Sequence, residues 1–119
     1  PPAPRVLLTG QVGRIDPVLA EVAAETLVRD LVNTPAEDMG PEALEAECAR
    51  LAKAHGGELQ VTRGDTLEHA FPMVHAVGRA AARHHAPRMM HLTWGDPAHP
   101  VLAVVGKGVT FDSGGLDIK

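Results

Sequence analysis

Apolar residues recur at every fourth position over a long stretch near the start of the chain, which is typical of a helix with one apolar face. The positions with this period are Leu19, Ala23, Leu27 and Leu31. Asp16 and Pro17 come just before them and are residue types favoured at the first positions of helices. Pro35 disfavours helical backbone at the residue before it. We therefore predict a helix with Asp16 as its cap and Pro17 as its first helical residue, which ends near Asn33.

A second apolar stripe follows, and a short alternating segment comes after it. Pro41 is suited to open a helix, and Gly56 is suited to end it. The apolar positions between them are Leu44, Cys48, Leu51 and Ala52. Residues 58–62 then alternate, with Leu59 and Val61 on one face, which is typical of a strand. The pattern predicts a helix, a stop and a strand.

The remaining pattern predicts one interrupted helix and two strands. Thr66 is expected to cap a helical segment that continues, past a break at Pro72, to about Arg83. Residues 88–94 and 101–107 read as strands joined by turn residues. Their short link allows an antiparallel hairpin but no helical crossover. The second strand is apolar on both faces, as a central strand should be. The order predicts an α/β fold, a mixed sheet flanked by helices.

Composition narrows the classes of function. With 119 residues there is room for one domain or for part of a larger one. A net charge of −4 gives no reason to expect a nucleic acid or an anionic membrane as partner. The single Cys48 excludes an internal disulfide and fits a reducing compartment. No apolar run is long enough for a membrane span and no signal peptide is visible. We expect a cytoplasmic protein.

The last fifteen residues carry the candidate chemistry. A strand-like apolar run leads into a glycine-rich loop that holds Lys107, Asp112 and Lys119, five and seven positions apart. Taken singly, a lysine after a strand is usually solvated, and an aspartate in such a loop usually bonds nearby backbone amides. Glycines let the loop bend sharply and approach a ligand. The joint spacing, and no single residue, makes this loop the candidate site.

Residues 107–119 resemble the active-site segment of the leucine aminopeptidase (cytosol aminopeptidase) family of metallopeptidases. The run Asn33-Thr34-Pro35-Ala36, followed by Met39-Gly40-Pro41, is similar to the start of that family's catalytic domain. The resemblance extends from about Leu27 to Lys119. It implies that residues 1–14 are a remnant or tail of a preceding N-terminal region. Residues 15–119 would then be the N-terminal portion of the catalytic domain, truncated after the metal-binding loop.

The resemblance implies a two-metal enzyme that releases N-terminal amino acids, leucine among them, from peptides. In the family, residues at the positions of Lys107 and Asp112 bind two divalent ions, Zn²⁺ or Mn²⁺, and the lysine at the position of Lys119 stabilises the attacked carbonyl oxygen. Asp112 is a hard oxygen donor suited to bridging such ions. A lysine ligand must first lose its proton, which adjacent dications favour. The resemblance also implies a homohexamer.

Other interpretations of the sequence are a non-catalytic chain or a different kind of active site. A non-catalytic alternative is a truncated or split polypeptide that assists folding or assembly with a missing half, and as a fragment the chain is expected to be inactive alone. The seven histidines show no His-Glu-x-x-His pair. Residues 7–13 lack the ending of a phosphate-binding loop. Ser113 lacks the Gly-x-Ser-x-Gly turn of serine hydrolases.

Overall fold

The computed structural model describes residues 10–110, which fall into two compact units divided between Asn33 and Thr34. The first unit contains a 3₁₀ turn, Val12–Arg14, and helix α1, Ile15–Asn33. Asp16 lies in the first turn of α1, where a carboxylate interacts favourably with the helix dipole. The helix predicted from the fourfold apolar period is confirmed, but it begins at Ile15 instead of Pro17, so Asp16 lies within the helix and is not its cap.

The second unit begins its regular structure with helix α2, Pro41–His55. Gly40 precedes the helix in extended backbone, and Pro41 occupies the first helical turn, where a missing N–H costs nothing. Gly56 ends the helix with φ 68°, and its N–H donates to the carbonyl of Ala52. This left-handed conformation is one that glycine adopts without strain. Both predicted ends of the helix are confirmed.

The sheet of this unit has two antiparallel strands, β1, Glu58–Arg63, and β2, Arg88–Thr93. In the register Glu58 lies opposite Thr93, and Arg63 lies opposite Arg88. Helix α2 packs against both strands. The end of α2 comes close to β2 at Gly57, where a side-chain Cβ would lie 2.9 Å from the carbonyl oxygen of Thr93. A glycine at this point therefore lets α2 turn directly into the sheet.

Two short helices and a 3₁₀ turn connect the strands. They are α3, Gly64–Ala70, α4, Pro72–Gly78, and the turn Arg83–His85. The predicted break at Pro72 is confirmed. The predicted cap at Thr66 is wrong, because Gly64, with φ 58°, turns the chain at the end of β1 and starts the helix there without a side-chain cap. The helix also ends before Arg83, since Gly78 packs against the ring of Pro87.

The prediction of a strand at residues 101–107 is wrong, and the hairpin that the short link allowed is not formed. The turn itself is present: Gly95 has φ 102°, and Asp96 accepts hydrogen bonds from the backbone of Ala98 and His99 at 2.9 and 3.1 Å. Strand β2 instead pairs with β1, and residues 101–110 form neither helix nor strand. Residues 101–109 are exposed, Val101 to 91%. An apolar strand needs covering layers and paired edges, and residues 10–110 give this segment neither.

The core within residues 10–110 is small. Leu67 of α3 and Ala52 of α2 are its buried apolar side chains, and apolar residues of α1 such as Leu19 are more than half exposed. None of the helices in this part of the chain is long and apolar enough to cross a membrane. Helices with a small antiparallel sheet agree with the predicted α/β class. The small core indicates that the second unit depends strongly on its polar contacts.

Candidate functional site

The structure describes one of the three residues predicted for the site. Lys107 lies in the exposed, irregular segment 101–110. Asp112 and Lys119 lie outside the described residues. Their predicted roles therefore stay predictions. The structure describes the segment that leads into the loop, residues 101–110.

The segment 101–110 passes close to helix α2 at one point, Gly108. A Cβ placed on Gly108 would lie 2.8 Å from Cδ2 of Leu44, whereas Gly106 faces open space. Leu44 is in the first turn of α2 and belongs to the apolar stripe predicted from the sequence. The backbone that follows Lys107 thus passes directly over the start of α2. The absence of a side chain at Gly108 lets the two approach each other.

Residues 10–110 contain no group of three or more His, Cys, Asp or Glu side chains that could hold a metal ion. The histidines in this range make local contacts instead. The rings of His84 and His85 lie 4.1 Å apart, Nδ1 of His69 is 2.6 Å from the carbonyl oxygen of Asp65, and His75 is 3.8 Å from Glu68. The pair predicted as metal ligands from the sequence, Lys107 and Asp112, stays a prediction.

A charged cluster joins α2 to the two strands. Both carboxylate oxygens of Glu45 accept hydrogen bonds: Oε1 from Nη2 of Arg63, and Oε2 from Nε of Arg63 at 3.0 Å and Nη1 of Arg88 at 2.7 Å. The side chain of Arg88 is 8% exposed and that of Glu45 is 17% exposed, whereas that of Arg63 is 53% exposed. The Glu45–Arg88 pair is thus the buried part of the cluster.

The register of the sheet explains why this carboxylate is needed. Arg63 ends β1 and Arg88 begins β2, and the two lie directly opposite each other. Like charges in that position destabilise an antiparallel pair. Glu45 sits between them and compensates both. The cluster was not predicted from the sequence, because it depends on the pairing of β1 with β2, which joins residues far apart in the chain.

The cluster changes the pKa of Glu45. Partial burial by itself would raise the pKa, but the hydrogen bonds and positive charges of Arg63 and Arg88 outweigh it and hold the pKa below its ordinary value. The pKa of the Cys48 thiol is raised, first by burial and then by the charges of Glu45 and Glu47. The Cys48 side chain therefore stays a protonated thiol and behaves as a small apolar residue.

An open pocket of about 680 Å³ adjoins the cluster. We call it the arginine pocket. It is lined by Glu42, Glu45, Arg63, Arg83, His84 and Arg88. Glu42 and Glu45 come from α2, Arg63 and Arg88 from the facing strand ends, and Arg83 and His84 from the 3₁₀ turn.

The similarity to known proteins covers most of the chain, including the predicted site residues. A family model described as the cytosol aminopeptidase family, catalytic domain, matches residues 26–119. A crystal structure of cytosol aminopeptidase from Coxiella burnetii superposes with a TM-score of 0.71 at 49% sequence identity, covering 78% of this chain and 20% of that one. The similarity confirms the predicted class, a partial α/β aminopeptidase domain.

The names of curated relatives agree with this family match. A probable cytosol aminopeptidase of Streptomyces griseus is 41% identical over 103 residues, which are 85% of this chain and 20% of the relative. Peptidase B of Cronobacter sakazakii is 44% identical over 100 residues, 77% of this chain and 23% of the relative. The chain thus spans about a fifth of the length of these relatives.

Proposed function

Because the chain belongs to the cytosol aminopeptidase family, we propose that it carries the first part of a metal-dependent aminopeptidase site that releases N-terminal residues from peptides. The observation that carries the proposal is the family match over residues 26–119, which includes the spacing of Lys107, Asp112 and Lys119. The chain spans only about a fifth of its relatives, so the activity proposed is that of a complete enzyme containing this segment.

In this proposal the donors fit a pair of divalent ions. The carboxylate of Asp112 has two oxygens and suits a bridging position, and Lys107 would bind as a neutral amine. Zn²⁺ and Mn²⁺ are the ions we propose. Their contribution when bound would be to activate a shared water for attack on the peptide carbonyl.

Lys119 takes a different role from Lys107 although the side chains are identical. Without a ligand role its ammonium stays charged and faces the oxygen of the attacked carbonyl, where it stabilises the developing negative charge. At Gly108 a Cβ would lie 2.8 Å from Cδ2 of Leu44, so the glycine lets the backbone after Lys107 pass close to α2. The two lysines are thus proposed to act in opposite protonation states.

The test uses a hybrid enzyme in which residues 26–119 replace the corresponding segment of the Coxiella burnetii aminopeptidase. Lys119→Ala in this hybrid should lower the turnover of a leucyl-anilide substrate by about 10²–10³ while leaving the metal content unchanged. The unmodified hybrid, checked for the same size as the parent aminopeptidase, is the control. A parallel loss of metal and turnover would show that Lys119 is a ligand or a structural residue instead.

A non-catalytic role for the 119-residue chain is the second candidate. It is favoured by the small core, Ala52 and Leu67 within residues 10–110, and by the exposed apolar segment 101–105. Under this interpretation the chain contributes to catalysis only together with further protein. Leucyl-anilide turnover by the purified 119-residue chain, dependent on added metal, would contradict it.

A further inference from the structure

The lining of the arginine pocket carries an excess of positive charge. Three guanidiniums face it against two carboxylates, with the imidazole of His84 in addition. The carboxylate of Glu45 is committed on both oxygens to Arg63 and Arg88. Charge that remains after such pairing attracts an anion from solution, because the pocket is open and its arginines are always protonated.

The two arginines that bind Glu45, Arg63 and Arg88, are held in place. Arg88 donates through Nη1 to Glu45 and through Nε to the carbonyl of Ala86, and its side chain is 8% exposed. A guanidinium has five N–H donors, so these bonds leave others for an acceptor inside the pocket. Arg63, bound to Glu45 through Nε and Nη2, likewise keeps donors. The guanidiniums of Arg63 and Arg88 are therefore already oriented before a ligand binds.

Arg83 and His84 lie at the opening of the pocket on an exposed turn. Within residues 10–110 the guanidinium of Arg83 has no hydrogen bond or ion pair. The turn itself is fixed, because the ring of His85 packs so tightly on Gly40 that a Cβ at Gly40 would overlap it. An unpaired guanidinium on a fixed turn, above two oriented ones, is an arrangement suited to an oxyanion.

We propose that the arginine pocket binds a phosphate dianion, free or as a phosphate ester, with Arg63 and Arg88 at its base and Arg83 and His84 at its opening. The formal excess of the lining is one positive charge, so the argument for phosphate rests on its several acceptor oxygens, which three guanidiniums can share. Glu42, on the same lining, repels anions and weakens the binding. None of the proposed peptidase residues is among those lining the pocket, and the proposal is independent of that function.

The proposal is tested on the 119-residue chain with inorganic phosphate as the probe, titrated at constant ionic strength into the ¹⁵N-labelled protein. Saturable shifts of the Arg83, His84 and Arg88 signals are expected, and Arg83→Gln should weaken phosphate binding about tenfold. Arg79→Gln is the matched control, since Arg79 is also exposed but lies outside the pocket, and its affinity should equal that of the unsubstituted chain.

Several outcomes would overturn the proposal. Shifts that grow linearly with phosphate would show general charge screening and no site. Equal weakening by Arg79→Gln would show diffuse attraction. Saturation by acetate at the same concentration would show a site for singly charged anions, against the dianion proposed. A chain without the α2–β1–β2 fold would also contradict it, because the pocket exists only in that fold.

Discussion

Replacing Glu45 by Gln is expected to destabilise the second unit more than any other single charge change on α2. The substitution keeps the shape of the side chain but leaves Arg63 and Arg88 opposite each other without a compensating charge. Removing one partner of a fully buried pair costs about 3–5 kcal/mol, whereas an exposed pair contributes about 0–1 kcal/mol. With Arg88 8% and Arg63 53% exposed, we expect a loss of about 2–4 kcal/mol.

The assay is urea unfolding of the 119-residue chain, followed by circular dichroism. Glu47→Gln is the matched control, because Glu47 also lies on α2 and pairs with Arg50 at 2.8 Å, but in an exposed position. That pair should contribute about 0.5 kcal/mol or less. A loss of 2–4 kcal/mol is most of the stability that so small a core can supply, so Glu45→Gln should abolish or sharply lower the unfolding midpoint. Equal midpoints for the two variants would refute the reasoning.

Three further predictions follow from described contacts. The pKa of Glu45 is lowered in the folded state, so its contribution to folding stability is complete above the ordinary value of 4.5 and is lost as the pH falls through the lower folded pKa. Urea midpoints of the unsubstituted chain should therefore fall as the pH is lowered across that range. The midpoints of Glu45→Gln should fall less. Gly57→Ala should cost about 1–3 kcal/mol, since its Cβ would lie 2.9 Å from the Thr93 oxygen, whereas Gly13→Ala, which faces open space, should not destabilise. The exposed apolar segment 101–105 should make the 119-residue chain self-associate; a concentration-independent monomer in sedimentation would contradict this.

Local signals in the sequence predicted most of the helical structure. Pro41 and Gly56 fixed both ends of α2, because a proline and a left-handed glycine are each compatible with only a few backbone conformations. Strand β1 followed from alternation. The start of α3 was missed, since Gly64 turned the chain two residues before the expected cap at Thr66. Such a turn depends on how the strand leaves the sheet, which no local pattern records.

Pairing between distant segments could not be predicted in the same way. Residues 101–107 have the composition of a central strand, yet β2 pairs with β1 across the intervening helices. The composition of a segment indicates whether it favours burial, but it does not indicate which segment will pair with it. The Glu45 cluster depends on the same pairing, because it joins residues that are far apart in sequence. The proposed peptidase residues, in contrast, were predicted from the spacing within one loop.

The most direct test of the proposed metal-dependent peptidase activity is Asp112→Ala in the hybrid enzyme. The unmodified hybrid should hydrolyse leucyl-anilide, lose this activity in excess chelator and regain it with zinc or manganese. Asp112→Ala should remove most of the activity without changing the size of the assembly, since the proposed bridge between the ions is lost. Full activity of Asp112→Ala, or unchanged activity of the hybrid in excess chelator, would contradict the account.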